Sequence, residues 1–268
     1  MKSIFSQSDI DFLKEYYDKK QYSEIATELG YTERQIRGKI NNMGLTKLRK
    51  FDKKYFHSID TNEKAYWLGF IYADGCVICN PERRNYELSI QLNKNDDYIL
   101  SKLSENIGGN HKLKYIHSRK EFNGYKYETD SCILRVYAKQ IVDDLINNGV
   151  VPDKTNQRDF PECNEYFVAF LRGFLDGDGC IYIQSNKNLI MVNFTNSNYE
   201  FLNYLNNQLK NQMNISGNMY KEKDKKYRLI IYRKKDVKIL LDNIYSDLSY
   251  SYLSRKYQIY KSYYGFTA

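Results

Sequence analysis

Apolar positions near the start of the chain recur at helical spacing. Leu13 and Tyr17 stand four residues apart, a second apolar stretch ends at Gly30, and a capping-box sequence begins at Thr32. This spacing is that of one face of an α-helix, glycine commonly ends helices, and a capping box opens them. Residues 1–50 therefore predict a small all-α domain of three short helices.

The second and third of these helices carry a helix-turn-helix pattern. Ala26, Gly30 and Ile36 stand as A-x3-G-x5-I: a small residue lets two helices approach, glycine makes the turn, and isoleucine anchors the last helix to the core. The pattern predicts a DNA-binding domain, although a helical bundle with a solvated basic face has the same sequence features. The predicted readers of bases or phosphates are Arg34, Arg37 and Asn41.

The rest of the chain contains an internal duplication. Its two nine-residue cores are Trp67–Gly75 and Leu171–Gly179. Each is followed by alternating apolar and polar positions, as in half-buried strands, and then by helical spacing. Both copies are predicted as αββαββα, with the last two strands of the first copy around 111–117 and 131–137. The predicted fold class is α+β.

Composition and turn residues divide the chain further. Residues 51–62 lie in a basic stretch without a clear period and are predicted to be a linker. The two copies would then occupy 63–150 and 165–268. Between them, residues 151–164 hold two of the three prolines and are predicted to be the inter-half linker.

Small residues in the two cores predict how the copies meet. The patterns Gly69-x3-Ala73 and Gly173-x3-Gly177 place two bare patches one turn apart on each helix. Because such patches let two backbones pack closely, we expect the two helices to cross about a pseudo-dyad.

That crossing would bring two carboxylates together. Asp74 and Asp178 end the two helices, where a negative charge opposes the helix dipole and where each would repel the other. A cation between them would relieve both effects, and Mg²⁺ is the hard ion that prefers carboxylates and water. Gly75 and Gly179 follow directly, and we expect them to turn the chain off each helix beside the metal site.

Charge and cysteine content narrow the class of partner and compartment. The formal net charge is +8 and the pI is near 9.0, which favours a polyanionic partner. Five cysteines are too few for a disulfide framework in a chain of 268 residues. No signal-peptide pattern or membrane-length apolar run is present, so we expect a cytoplasmic or organellar protein that is neither secreted nor membrane-bound.

Both cores resemble the motif of the LAGLIDADG homing endonucleases, and the resemblance extends over about residues 63–263. It implies that Asp74 and Asp178, at the eighth motif position, are metal-binding catalytic aspartates. It also implies a monomeric pseudo-dimer whose β-saddles lie in the DNA major groove while the aspartates cut both strands across the minor groove. At the sixth position the second motif keeps Asp176, whereas the first departs from the pattern with Tyr72.

The resemblance also suggests further site residues. A lysine near the junction of the fourth strand and the following helix matches Lys139 and Lys235, and the polar residue after the second strand matches Lys94 and Asn196. Specificity is expected from the polar strand faces. The candidate base contacts there are Glu87, Ser89, Gln91, Arg135, Asn193, Thr195, Arg228 and Tyr232.

The resulting hypothesis is a site-specific double-strand DNA endonuclease that leaves staggered ends. Two or three Mg²⁺ ions, replaceable by Mn²⁺, would support in-line hydrolysis of the phosphodiester bond without a covalent intermediate. Two alternatives stay open at this point. The chain could bind DNA as a regulator without cutting it, or act as an RNA maturase that binds intron RNA.

Overall fold

The computed structural model describes residues 5–45, 51–109, 111–122, 124–152, 161, 164–184, 186, 188–222 and 226–265. The chain divides into two compact units, Met1–Lys50 and Phe51–Ala268. No helix in the described ranges is long and apolar enough to cross a membrane.

The described residues of the first unit form three helices: α1 (Gln7–Tyr16), α2 (Tyr22–Leu29) and α3 (Glu33–Asn42). Capping boxes begin α1 at Ser6 and α3 at Thr32, where side chain and backbone satisfy each other's hydrogen bonds. Gly30 ends α2 with a φ of +73°, a left-handed conformation that favours glycine. The core of the unit consists of Leu13, Ile25, Ala26, Ile36 and Ile40. Its role as a DNA-binding domain stays a prediction.

The second unit consists of two αββαββα copies and a closing helix, so the predicted α+β fold is confirmed. The first copy comprises α4 (Asn62–Asp74), β1 (Gly75–Asn80), β2 (Asn85–Asn93), α5 (Asp97–Asn106), β3 (Lys114–Phe122), β4 (Tyr125–Val136) and α6 (Lys139–Asn147). The second comprises α7 (Phe167–Asp178), β5 (Gly179–Gln184), β6 (Leu189–Asn196), α8 (Tyr199–Met213), β7 (Asn218–Lys221), β8 (Tyr227–Ile231) and α9 (Lys234–Ile244). Helix α10 (Ser254–Tyr264) follows.

Each copy builds one four-stranded antiparallel sheet. The strand orders are β1-β2-β4-β3 and β5-β6-β8-β7, so the two sheets have the same topology. Alternate residues such as Leu88, Ile90 and Val192 are buried on the inner faces, as the two-residue period predicts. The opposite, outer face of each sheet is the more polar and more exposed one.

Helices α4 and α7 pack against each other at the centre of the second unit. A Cβ atom on Gly69 would lie 2.0 Å from the carbonyl oxygen of Phe170, and one on Gly173 would lie 1.9 Å from the carbonyl oxygen of Tyr66. Only glycine fits at such a backbone crossing. Large apolar side chains around it, including Phe70 and Phe174, are fully buried.

The predicted linker at 51–62 is part of the second unit. Tyr55 and Phe56 are buried in its hydrophobic core, and the Phe56 carbonyl oxygen accepts a 2.8 Å hydrogen bond from Asn148 Nδ2. These two aromatic residues pack although the basic residues around them suggested a solvated segment. The linker prediction is therefore wrong for this stretch. Most of the predicted inter-half linker at 151–164 lies outside the described residues.

Candidate active site

The two motif aspartates are the last residues of the crossing helices. Asp74 ends α4 and Asp178 ends α7. A Cβ on Gly177 would lie 2.3 Å from Ala73 Cβ and 3.4 Å from Asp74 Oδ2, so the last turns of the two helices are in contact. Asp74 is half-buried and Asp178 is exposed. The structure therefore brings both predicted catalytic residues to one place on the pseudo-dyad.

The glycines that follow the aspartates are needed because there is no room for a side chain, not because the backbone is left-handed. Gly75 and Gly179 both have extended backbone conformations, with φ of −71° and −88°. A Cβ atom on Gly75 would lie 2.5 Å from Ile71 O, and one on Gly179 would lie 2.7 Å from Leu175 O. These glycines let each strand start immediately beside the last helical turn.

A buried lysine, absent from the sequence-based candidates, lies at the carbonyl end of α7. Lys256 Nζ donates to the carbonyl oxygens of Leu175, Asp176 and Gly179 at 2.6, 2.7 and 2.7 Å. Burial lowers the pKa of Lys256 to about 8, and attraction to Asp176 and then Asp74 opposes that change. Because a positively charged ammonium lies 2.7 Å from the Gly179 carbonyl oxygen and would repel a second cation there, the geometry does not support the prediction that Gly179 helps to bind a metal.

The sixth position of the second motif anchors the same segment. Asp176 is fully buried and accepts hydrogen bonds from Leu253 N at 2.7 Å and from Tyr66 Oη at 3.1 Å. Burial raises the pKa of Asp176 to about 6, opposed most strongly by the nearby charge of Lys256. Asp176 therefore connects both central helices to the chain just before α10.

Two further charged side chains hold the segment between α9 and α10. Arg172, also fully buried, donates to the carbonyl oxygens of Ile244 and Asp247, both at 2.6 Å. Glu63, in the first turn of α4, accepts a 3.0 Å hydrogen bond from Ser251 N. Because Glu63 and Arg172 belong to different halves, residues 244–256 fasten the two halves to each other.

The structure does not bring Lys139 to the aspartates. Lys139 begins α6, donates to Asp143 at 2.5 Å and lies 5.3 Å from the centre of the Tyr86 ring. Tyr86 pairs with Cys79, near the end of β1 that is remote from Gly75. Lys235 lies exposed in the first turn of α9, one residue after Lys234, which stands at the position equivalent to Lys139.

The strand register also shows that the polar residues beside the aspartates are not the predicted Lys94 and Asn196. Gly75 pairs with Ile90, and Gly179 pairs with Phe194. The polar residues next along the second strands are therefore Gln91 and Thr195, for which the sequence predicts base contacts. Lys94 instead belongs to a short 3-10 turn, and its Nζ lies 6.0 Å from the centre of the Tyr115 ring. Asn196 Oδ1 accepts the Asn198 N–H at 2.9 Å, a local turn contact.

The outer sheet faces carry most of the other predicted contacts. Arg135 and Glu87 form a 3.2 Å ion pair, and Arg228 pairs with Glu222. Ser89 pairs with Arg135 across the strands, and Asn193 pairs with Cys180. The hydroxyl of Tyr232 accepts a 3.3 Å hydrogen bond from Asn218.

The predicted contacts of the first unit lie on one helix. Arg34, Arg37 and Asn41 are exposed on α3, opposite the buried Ile36 and Ile40. Arg37 is engaged by Glu33 at 2.8 Å. Within the first unit, these three side chains therefore lie on the free face of α3, where the sequence places them.

The donor set at the helix ends fits magnesium. Mg²⁺ is held in proteins by one or two carboxylates together with waters and substrate phosphate oxygens. Asp74 and Asp178 supply two such carboxylates at contacting helix ends. Among the described residues, no group of three or more His, Cys, Asp or Glu side chains could hold a metal. A closed protein cage, as for structural zinc, is therefore not formed by that part of the chain.

Comparisons with known proteins agree with this architecture. Residues 165–245 match the family model of the LAGLIDADG-like domain. An uncharacterised protein of Methanocaldococcus jannaschii, MJ0398, is 26% identical over 206 residues, which cover 70% of this chain and 68% of that protein. The homing endonuclease I-WcaI, solved with its DNA recognition sequence, superposes with a TM-score of 0.55 and 14% identity, covering 86% of this chain and 99% of its own. A double mutant of I-SmaMI superposes with a TM-score of 0.50 and 14% identity, covering 75% and 89%.

Proposed function

Because this chain has the fold of the single-chain LAGLIDADG homing endonucleases and carries a LAGLIDADG-like domain at 165–245, we propose that it is a site-specific double-strand DNA endonuclease. The observation that carries the proposal is the contact between the two helix ends that bear Asp74 and Asp178. A pair of carboxylates on a pseudo-dyad is the arrangement that two antiparallel DNA strands require.

Duplex DNA is the substrate that the surface favours. The net charge of +8 suits a polyanion, and each outer sheet face presents side chains able to contact base edges in a major groove. The DNA complex of I-WcaI, whose fold this chain shares, supports the same partner. Since phosphate contacts release counterions, binding should weaken steeply as salt concentration rises.

The side chains of the site divide the work of hydrolysis among them. Asp74 and Asp178 would hold Mg²⁺, which supplies Lewis-acid stabilisation of the charge that develops on the phosphate. Gln91 and Thr195, next to the strand starts, are placed to orient water or phosphate oxygens by hydrogen bonding. Lys256 neutralises the carbonyl end of α7, where two carboxylates would otherwise add to the negative end of the helix dipole.

The decisive experiment is magnesium-dependent cleavage of a randomised duplex library, followed by sequencing of the ends. Wild type should yield discrete staggered ends. Asp74→Asn and Asp178→Asn should each lower the rate of double-strand cleavage by on the order of 100-fold, since each removes a carboxylate from the metal site. The cleavage that remains should be mostly nicks in one strand. Asp143→Asn, which changes a surface carboxylate on α6, is the matched control and should cut normally.

Three results would contradict the proposal. Undiminished cleavage by Asp74→Asn would remove the assigned site. Selective retention of duplex DNA by wild type without any cutting would indicate a binding protein. Tight retention of intron RNA in preference to duplex DNA would indicate a maturase.

A further inference from the structure

The first sheet has an extension that the second sheet lacks among the described residues. The pairing between β2 and β4 stops at Asn93 and Ser131, but β3 and β4 continue to pair from His117 and Asp130 to Phe122 and Tyr125. We call residues 117–122 and 125–130 the ribbon. In the second sheet, the β8 residues that pair with β7 (227–230) also pair with β6, so the described parts of β7 and β8 do not form a two-stranded projection.

The ribbon has two chemically different faces. Ser118 Oγ and Thr129 Oγ1 lie 2.7 Å apart on the face that continues the outer face of the sheet through Ser131 and Gln91. On the rear face, His117 contacts Asp130 and Arg119 contacts Glu128, each at 2.8 Å.

Charge separates these faces. The register places the described charged residues on the rear: the acids Glu121, Glu128 and Asp130 together with the bases Arg119 and Lys126. The described side chains of the ribbon's outer face are Ser118, Tyr125, Tyr127 and Thr129, and none of them is a carboxylate. Tyr125 is 78% exposed and Tyr127 is 45% exposed. The described outer face is thus rich in hydroxyl groups and carries no carboxylate that would repel the phosphates of DNA.

The dimensions also suit a groove of duplex DNA. A two-stranded β-ribbon fits the major groove, whereas an isolated hairpin in water has little stability of its own. The six extra residue pairs span about 20 Å at the usual rise of a strand, which corresponds to about six base pairs. The ribbon leaves the sheet at the end nearer Asp74, because Gly75 pairs with Ile90 and the adjacent Gln91 pairs with Ile133.

We propose that the ribbon is an additional specificity arm, which reads base pairs on one side of the target's pseudo-dyad and has no counterpart among the described residues of the second half. The inference rests on the proposed function and extends it: the target should be specified asymmetrically. The reading groups are the hydroxyls of Ser118, Thr129, Tyr125 and Tyr127, which can donate or accept hydrogen bonds at base edges.

Selection of binding sites from a random duplex library tests the arm. In a shortened variant, Asn-Gly replaces residues 120–127 and joins Arg119 to Glu128 through a two-residue hairpin turn. A point variant combines Ser118→Ala with Thr129→Val, and Glu121→Ala on the rear face is the control. The shortened variant should bind the selected site 10- to 100-fold more weakly, with base preference relaxed on one side only. The point variant should relax a subset of those positions, and the control should match wild type.

The outcomes separate the two proposals. If wild type selects no duplex sequence, the proposed function fails and the arm fails with it. If wild type selects a site and both ribbon variants keep its affinity and base preferences, only the arm is overturned. A shortened variant that changes its oligomeric state while keeping the same preferences would instead assign the exposed edge of β3 to a protein interface. Should the shortened variant not fold, the point variant decides alone.

Discussion

At the scale of single residues, the crossing of α4 and α7 depends on glycine. We expect Gly173→Ala to destabilise the second unit by about 3 kcal/mol or more, because its Cβ would lie 1.9 Å from a backbone oxygen that cannot turn aside. Urea unfolding followed by circular dichroism would measure the change in free energy.

Gly38 provides the matched control for that substitution. It lies inside α3, and a Cβ there would meet no atom within 4 Å. Gly38→Ala should therefore stabilise the first unit by about 0.5–1 kcal/mol, the ordinary helix-propensity gain. Equal effects of the two substitutions would show that the helix crossing tolerates a methyl group, contrary to the structure.

Asp176 gives the fold a specific pH dependence. Its pKa is raised from 3.8 to about 6, so the folded state binds the proton more tightly than the unfolded state does. The stability that this group contributes is present below pH 4 and is lost as pH rises through 6. The free energy of unfolding of wild type, minus that of Asp176→Asn, should therefore fall by roughly 2 to 3 kcal/mol between pH 4 and pH 6.5.

Denaturant titrations of both proteins across that range measure this difference, from which the other titrating groups largely cancel. Asp247→Asn, which changes a half-buried aspartate on the same segment, is a useful comparison because hydrogen bonds from Ser249 lower the pKa of Asp247 instead of raising it. A wild-type minus Asp176→Asn difference that stays constant with pH would show that the pKa of Asp176 is not raised in the folded state.

At the scale of elements, the sequence predicted the helices and strands that have a clear apolar period. Both cores are helices and their aspartates meet, because glycine spacing and apolar spacing are local signals. The β3–β4 hairpin is longer than its apolar alternation indicated, since the described side chains of the ribbon are exposed or half-buried on both faces and none of them is fully buried. Alternation reports burial on one side of a sheet rather than strand length.

The site residues show the same division between local and distant information. Asp74 and Asp178 stand at the same position of the repeated motif, so the repeat itself identifies both. Lys256 contacts the end of α7 but lies in α10, which follows α8, the second sheet and α9 along the chain. The residues next to it in the sequence do not distinguish it from other lysines. Lys139 and Lys94 were assigned by approximate position along the chain, whereas the strand register decides which side chains lie beside the aspartates.

At the scale of the whole molecule, the boundary between the units can be tested by truncation. A fragment that starts at Phe51 should fold and cut DNA, because Tyr55 and Phe56 complete its core. A fragment that starts at Asn62 should lose about 3 kcal/mol or more of stability, since burial of Phe56 is lost and a cavity remains. Thermal unfolding of the two fragments beside the full chain measures the difference.

The same fragments report on the first unit. If α3 contacts phosphates, removal of residues 1–50 should lower the slope of log affinity against log salt as well as the affinity itself. An unchanged slope would assign the first unit to another role. Arg34→Ala in the full chain, set beside Lys14→Ala on α1, separates a contact from a general loss of positive charge.

Residues 244–256, which join the two halves, are among the last parts of the chain to be synthesised. A ribosome completes Asp74 and Asp178 long before it reaches Ser251, which reaches back to Glu63, and Lys256, which covers the carbonyl end of α7. A nascent chain therefore has both carboxylates while its two halves still lack the contacts made by residues 244–256. The arrangement around the aspartates is complete only after residue 256 has left the exit tunnel, so interrupted translation yields chains that lack it.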